Sequence, residues 1–135
     1  MVVPSWAKHL VPRQHKYRAQ AVSVDGIRFQ SKREARRWQQ LQLQQSMGLI
    51  RRLSRQVPLP IWTVNLETGE IVTVARYFAD FRYERDGRVV WEDAKGMKTE
   101  TYLLKKKLVE AVHGVVIAEY PPRKRKARKA KKVAA

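Results

Sequence analysis

Four side chains stand out for the chemistry they could perform together: Asp80, Asp93, Lys95 and Glu34. The chain contains only four aspartates. Asp25 and Asp86 each precede a glycine, a turn-forming pair in which aspartate is expected. Asp80 and Asp93 lie instead inside apolar stretches, Tyr77-Phe78-Ala79-Asp80-Phe81 and Val90-Trp91-Glu92-Asp93-Ala94-Lys95, and strand interiors disfavour aspartate. A two-residue Asp86-Gly87 hairpin turn pairs Arg85 with Arg88. Counting back along both strands then places Asp80 directly opposite Asp93, with Cβ atoms about 5 Å apart on one face. Carboxylates that close repel, and one tends to hold a proton. A hard divalent cation, Mg²⁺ or Mn²⁺, removes the conflict. Strand alternation also puts Lys95 on the face of Asp93 and turns Glu92 to the other. A three-residue turn with a bulge would shift this register by one, so the pairing rests on the turn type.

This set suits phosphodiester hydrolysis. That reaction needs an activated water and neutralisation of charge on the phosphate and the leaving oxygen, which a carboxylate-held cation supplies. Lys95 beside it can steer or deprotonate the water and stabilise developing negative charge. The backbone carbonyl of Ala94 is a further candidate ligand, because hard cations accept carbonyl oxygens. Glu34 joins through a helical stripe: Glu34, Trp38, Leu41 and Gln45 share one face, and the apolar members must face the sheet. Glu34 has a second reading, as the reciprocal partner of a Ser31 cap.

The elements that must position these groups follow from local patterns. Val22 to Phe29 reads as a small hairpin around Asp25-Gly26. Ser31-Lys32-Arg33-Glu34 has the form of a capping box opening a helix to Met47, and Gly48 stops it. Val57 to Val64 carries Pro58 and Pro60 and fits only an edge or irregular strand. Ile71 to Glu84 reads as a long strand, and Val89 to Lys95 returns from the Asp86-Gly87 turn. Thr99 caps a helix from about Glu100 to His113, with Gly114 as its stop and Leu104, Leu108, Ala111 and Val112 as its apolar stripe. Val115 to Tyr120 is a last short strand. The expected fold is α/β, a helix, three strands, a helix and a strand around one mixed sheet, with an N-terminal hairpin. The expected organisation is a basic arm over residues 1–20, a domain over 21–120 and a disordered basic tail over 121–135.

Charge limits the partners. The 135 residues carry 29 Lys plus Arg against 12 Asp plus Glu, a formal charge of +17. Removing the eight basic residues of Pro121 to Ala135 still leaves +9 on residues 1–120. Such a chain favours a polyanion, and nucleic acid is the commonest. Arg123, Lys124, Arg125 and Lys126 read as a phosphate-binding arm. Lys32 and Arg33 at the first helix, and Lys98, Thr99 and Lys105 at the second, are further candidate DNA contacts. Trp6, Tyr17 and Trp62 read more readily as packing residues than as stacking platforms for bases. His9, His15 and His113 show no metal spacing. With no cysteine there is no disulfide framework and no cysteine-built zinc site. No apolar run is long enough to span a membrane, and no signal-peptide pattern opens the chain, so the expected location is cytoplasmic.

On these residues the chain resembles the PD-(D/E)XK nuclease superfamily. Asp80 and Asp93-Ala94-Lys95 fill the places of its motif, and Glu34 that of a first-helix acid. More narrowly, Val24 to Ala35, Ala79 to Tyr83 and Glu92 to Gly96 resemble a family of small basic bacteriophage proteins of formally unknown function. Alanine rather than proline precedes Asp80, which removes no ligand. The resemblance implies a metal-dependent DNA endonuclease with Glu34, Asp80, Asp93 and Lys95 as catalytic residues and no small-molecule cofactor. By analogy it also implies a dimeric, Holliday-junction-resolvase-like activity on branched DNA inside a phage-infected cell. The rival expectation is a non-catalytic nucleic-acid-binding accessory or architectural protein, which accounts equally well for the charge. A third is a partner-binding protein on a degenerate nuclease fold.

Overall fold

The structure, a computed structural model, describes residues 21–122; the expected arm and tail, including Arg123 to Lys126, lie outside them. Two Asp-Gly turns organise the strands. β1 (Val22–Val24) pairs with β2 (Ile27–Phe29) across Asp25-Gly26, and β4 (Ile71–Arg85) with β5 (Arg88–Ala94) across Asp86-Gly87. Both residues of each turn have positive φ, 51° and 75° in the first and 51° and 74° in the second. Such backbone matches strand twist in a two-residue turn and suits Asp-Gly. The second turn sets Arg85 against Arg88 and Phe81 against Glu92, the register expected of a two-residue connection.

The main sheet has the order β3-β4-β5-β6, with β3 (Arg51–Val64) antiparallel to β4 and β6 (Ile117–Tyr120) parallel to β5. Helix α2 (Glu100–His113) forms the crossover that a parallel pair requires. α1 (Lys32–Ser46) precedes the sheet. The order is therefore a hairpin, a helix, three strands, a helix and a strand, a mixed α/β fold as expected. β3 is an edge strand and tolerates Pro58 and Pro60 there. It begins six residues earlier than expected, because Arg51, Ser54 and Arg55 also pair with β4, with a register shift between Arg51 and Ser54.

Two apolar clusters sit on the sheet. The first joins α1 and the hairpin to it through Phe29, Ala35, Trp38, Leu41, Ile50, Phe81, Tyr83 and Ala94, with the Trp38 ring stacked 6.0 Å from Phe81. The second joins α2 through Leu59, Ile61, Tyr77, Ala79, Val109 and Ile117. Each wholly buried large apolar side chain contributes about 1.5–3 kcal/mol. Of the expected α2 stripe, Val112 packs on the sheet, whereas Leu104, Leu108 and Ala111 are exposed. Leu104 is 59% exposed and Leu108 40%, whereas Val109 is buried and Tyr102 and Val112 pack beside it. Residues 102, 109 and 112 form an equally regular helical face, and the sheet beneath that face is partly polar.

Candidate active site

The site lies where β4 and β5 part. Their ladder ends at Phe81↔Glu92, and beyond it the two aspartates bridge the strands with their side chains. The Asp80 backbone N–H donates to Asp93 Oδ1 at 3.0 Å, and the Ala94 N–H donates to Asp80 Oδ2 at 2.9 Å. Asp80 is 6% exposed and Asp93 not at all. On the other flank, the ladder of β3 and β4 pairs Arg55 with Phe81 and Val57 with Ala79 but omits Gln56. Gln56 has a φ of 50°. Its side-chain amide reaches inward and donates to both Glu34 Oε1 at 3.0 Å and Asp80 Oδ1 at 3.3 Å.

Glu34 is brought in by α1. The Ser31 hydroxyl caps the helix by accepting from the Glu34 N–H at 3.1 Å. The Glu34 carboxylate is not turned back onto the cap; it faces inward, 5% exposed, and is held by Gln56. Lys95 approaches from the end of β5, with Nζ 3.9 Å from Asp80 Oδ2 and 5.5 Å from the centre of the Tyr102 ring. Glu92 points the other way, as alternation requires. It binds Arg37 through two bonds of 2.8 Å and accepts from the Tyr83 hydroxyl at 2.9 Å. Four acidic groups are buried in all among the described residues. Glu92 has a matched guanidinium, while Glu34, Asp80 and Asp93 share one ammonium and one amide.

The electrostatics follow from that shortage. Burial raises the carboxyl of Glu34 above its ordinary value, and the charge of Asp80 raises it further. Burial likewise raises Asp80, against the opposing pull of Lys95, the Ala94 N–H and Gln56. It raises Asp93 too, against the Asp80 N–H, Lys95 and Lys106. The Tyr102 phenol is raised as well, by burial and by the adjoining Asp93. The hydroxyl of Tyr102 and Oδ2 of Asp93 are both buried without a well-formed hydrogen bond.

Among the described residues, no group of three or more His, Asp or Glu side chains is gathered tightly enough to hold a metal ion. The expected three acids are therefore not drawn together as a ligand set, and the Gln56 amide lies between Glu34 and Asp80. The donor chemistry nevertheless suits a hard cation. The available groups are carboxylate oxygens, and Asp93 Oδ2 is a buried oxygen without a hydrogen-bond partner. Asp80 and Asp93 would hold such an ion, with Glu34 available once Gln56 moves. Ala94 lends its N–H to Asp80.

The expected DNA contacts divide. Lys32 and Arg33 are exposed at the start of α1, and Arg33 Nη1 donates to the Lys95 carbonyl at 2.9 Å. Its guanidinium lies over Gly96, where a Cβ would come within 3.1 Å of Nη1. Lys98 is paired with Glu119, which also takes Lys106 at 2.7 Å. The Thr99 hydroxyl is used as the α2 cap, accepting from the Tyr102 N–H. Glu100 in the first turn disfavours an anion at that helix end. Lys105 is half-buried on α2. Trp62 sets its ring edge-on against His113 at 4.8 Å and remains 38% exposed, outside both apolar clusters. No helix among the described residues is long and apolar enough to cross a membrane.

Sequence reasoning missed Gln56 and Tyr102. Gln56 would have been placed opposite Asp80 had the register of β3 on β4 been known, but the Asn65–Glu70 connection is too long to fix it. Tyr102 was hidden by the choice of stripe on α2.

Fold and site together define a basic α/β domain with a buried acidic cluster at the parting of two central strands. The family described as "Protein of unknown function (DUF1064)" matches residues 14–132, and the chain belongs to it. No curated protein and no solved structure matches the chain.

Proposed function

We propose that the protein is a divalent-cation-dependent DNA endonuclease. The observation that carries the reading is the trio of buried acids, Glu34, Asp80 and Asp93, with Lys95, among the described residues, as the one cation at salt-bridge distance from any of them, inside a chain of charge +17. A fold selected only to bind phosphate gains nothing by burying acids beside its basic surface, since each uncompensated buried charge is unfavourable. Mg²⁺ or Mn²⁺ held there would polarise the phosphate and lower the pKa of a bound water. Asp80 and Asp93 hold the cation. Lys95, half-exposed beside Asp80, orients or deprotonates the attacking water and stabilises negative charge on the phosphate. Glu34 completes the acidic set from the helix side. Lys32 and Arg33, exposed near the same strand end, position the DNA backbone. The likeness to PD-(D/E)XK enzymes supports this assignment and extends it, by analogy, to branched substrates and a dimer.

A second reading has its own observation. Asp80 and Asp93 each already bind a backbone amide of the opposite strand, which suits a structural clasp in a non-catalytic nucleic-acid-binding protein. One experiment separates the two: incubation of supercoiled, single-stranded and four-way-junction DNA with Mg²⁺ or Mn²⁺, with Asp93→Asn as control. Cleavage by the parent and none by the variant is expected. Binding of these DNAs with no cleavage of any of them would favour the clasp.

A further inference from the structure

The side-chain amide of Gln56 occupies the space between Glu34 and Asp80, donating to both carboxylates. A doubly shared donor between two acids does electrostatically what a bound cation does, and more weakly. The rest of Gln56 is exposed, so water can receive the amide when a cation displaces it. Its backbone has positive φ, unusual for a side chain with a Cβ, and it is omitted from an otherwise continuous stretch of β-ladder. The pairs on either side keep one register, Arg55 with Phe81 and Val57 with Ala79, so Gln56 lies across from Asp80 and its side chain meets the acids there. We propose that Gln56 is a latch on the cation site. It holds the Glu34–Asp80 pair by two hydrogen bonds while the site is cation-free, and it is displaced when a divalent cation enters and draws Glu34 into the ligand set. This inference rests on the cation-binding reading and deepens it, because it makes Gln56 a competitor and not a ligand.

Linkage fixes the expected pattern. Losing the latch destabilises the cation-free protein, leaves the cation-bound protein unchanged, and so tightens binding by the same factor. The test uses the full chain, with thermal unfolding in EDTA and in saturating Mg²⁺, and calorimetric titration with Mg²⁺ and Mn²⁺. Gln56→Met keeps the side-chain length and removes the amide. It is expected to lower the midpoint in EDTA, to match the parent in saturating Mg²⁺, and to lower the Kd about tenfold, the scale of hydrogen bonds to charged acceptors. Gln56→Lys places a fixed ammonium between the acids and is expected to weaken cation binding at least tenfold; its titration keeps the test open if the Met variant does not fold. An unchanged or raised Kd in Gln56→Met overturns the latch, as does parent-like binding by Gln56→Lys. A parent that binds neither Mg²⁺ nor Mn²⁺ overturns the nuclease reading itself.

Discussion

Replacing Asp93 by asparagine or by alanine gives opposite results if the acid is present for its charge. Asp93 does two things in the cation-free protein. Oδ1 accepts the Asp80 N–H at 3.0 Å, and Oδ2 sits buried with no partner. Asparagine keeps the first acceptor, removes the charge, and puts an NH2 where Oδ2 was, beside the unpartnered Tyr102 hydroxyl. Losing an uncompensated buried charge while retaining the hydrogen bond favours folding by roughly 1 kcal/mol or more. A domain of this size moves its midpoint about 4–8 °C per kcal/mol. Alanine removes the acceptor as well and leaves the Asp80 N–H buried and unsatisfied, a loss of about 1–3 kcal/mol. Thermal unfolding at pH 7 in EDTA should therefore rank the asparagine variant above the parent and the alanine variant at or below it. Added Mg²⁺ should raise the parent alone, and both variants should fail to cleave DNA. An asparagine variant less stable than the parent would refute the claim that Asp93 carries surplus charge.

Three further outcomes follow from the same geometry. Glu34, Asp80 and Asp93 all have carboxyl groups raised by burial, so the unfolded chain binds fewer protons than the folded one between their ordinary and raised values. Stability in EDTA should increase as pH falls from neutral through the raised values, and the gain should end near the ordinary carboxylate range. Denaturant melts across pH read this directly, and saturating Mg²⁺ should flatten or reverse the slope, since cation binding needs the ionised acids. Lys95→Met should lower the cleavage rate on the order of 10²–10⁴-fold and lower the unfolding midpoint in EDTA, by less than a fully buried pair would because Lys95 is a third exposed, since it removes the ammonium 3.9 Å from Asp80. Arg37→Ala should destabilise by roughly 3–5 kcal/mol, because it strands Glu92 in a site where the paired side chains are only 11% and 5% exposed; urea unfolding measures it, and Glu92→Gln in the same background should restore part of the loss.

What could be read ahead of the structure was whatever local chemistry determines. An Asp-Gly pair fixes both turn type and register, so the meeting of Asp80 and Asp93 followed from counting, although the ladder stops one pair short and each side chain bonds the opposite backbone; strand alternation sent Glu92 to Arg37 and Lys95 to Asp80. The inward side of Glu34 followed because Trp38 and Leu41 can face only the sheet. Gln56 was out of reach because its position depends on a long connection and on a positive-φ residue that no composition rule marks. The inward face of α2 was out of reach for another reason. Leucine at 104 and 108 outweighs Tyr102 on any apolar count, yet the sheet beneath contains Asp93 and β6 carries Glu119, which call for a phenol and for Lys106. Tertiary context decided between two equally periodic faces. The ladder's end at Phe81 was also not foreseeable, since it depends on the aspartate side chains taking over from backbone pairing.

The clasp and the catalytic reading differ in what they require of the acids. A clasp between diverging strands requires an acceptor for the N–H of Asp80 and another for the N–H of Ala94. Asparagine supplies an acceptor without charge, and its burial is less unfavourable. Both positions carry a carboxylate instead, a third lies across Gln56, and the nearest ammonium, on Lys95, stands at salt-bridge distance from only one of them. Glu92 shows what the fold does when an acid is structural: two short guanidinium bonds and a phenol satisfy it completely. Against that internal standard, the Asp80–Asp93–Glu34 group is short of close positive charge: Lys95 reaches Asp80 at 3.9 Å, and Arg55 and Lys106 act on Glu34 and Asp93 without forming salt bridges to them. A divalent cation would supply close positive charge, and the basic surface around the site would bring with it the anion on which such a cation acts.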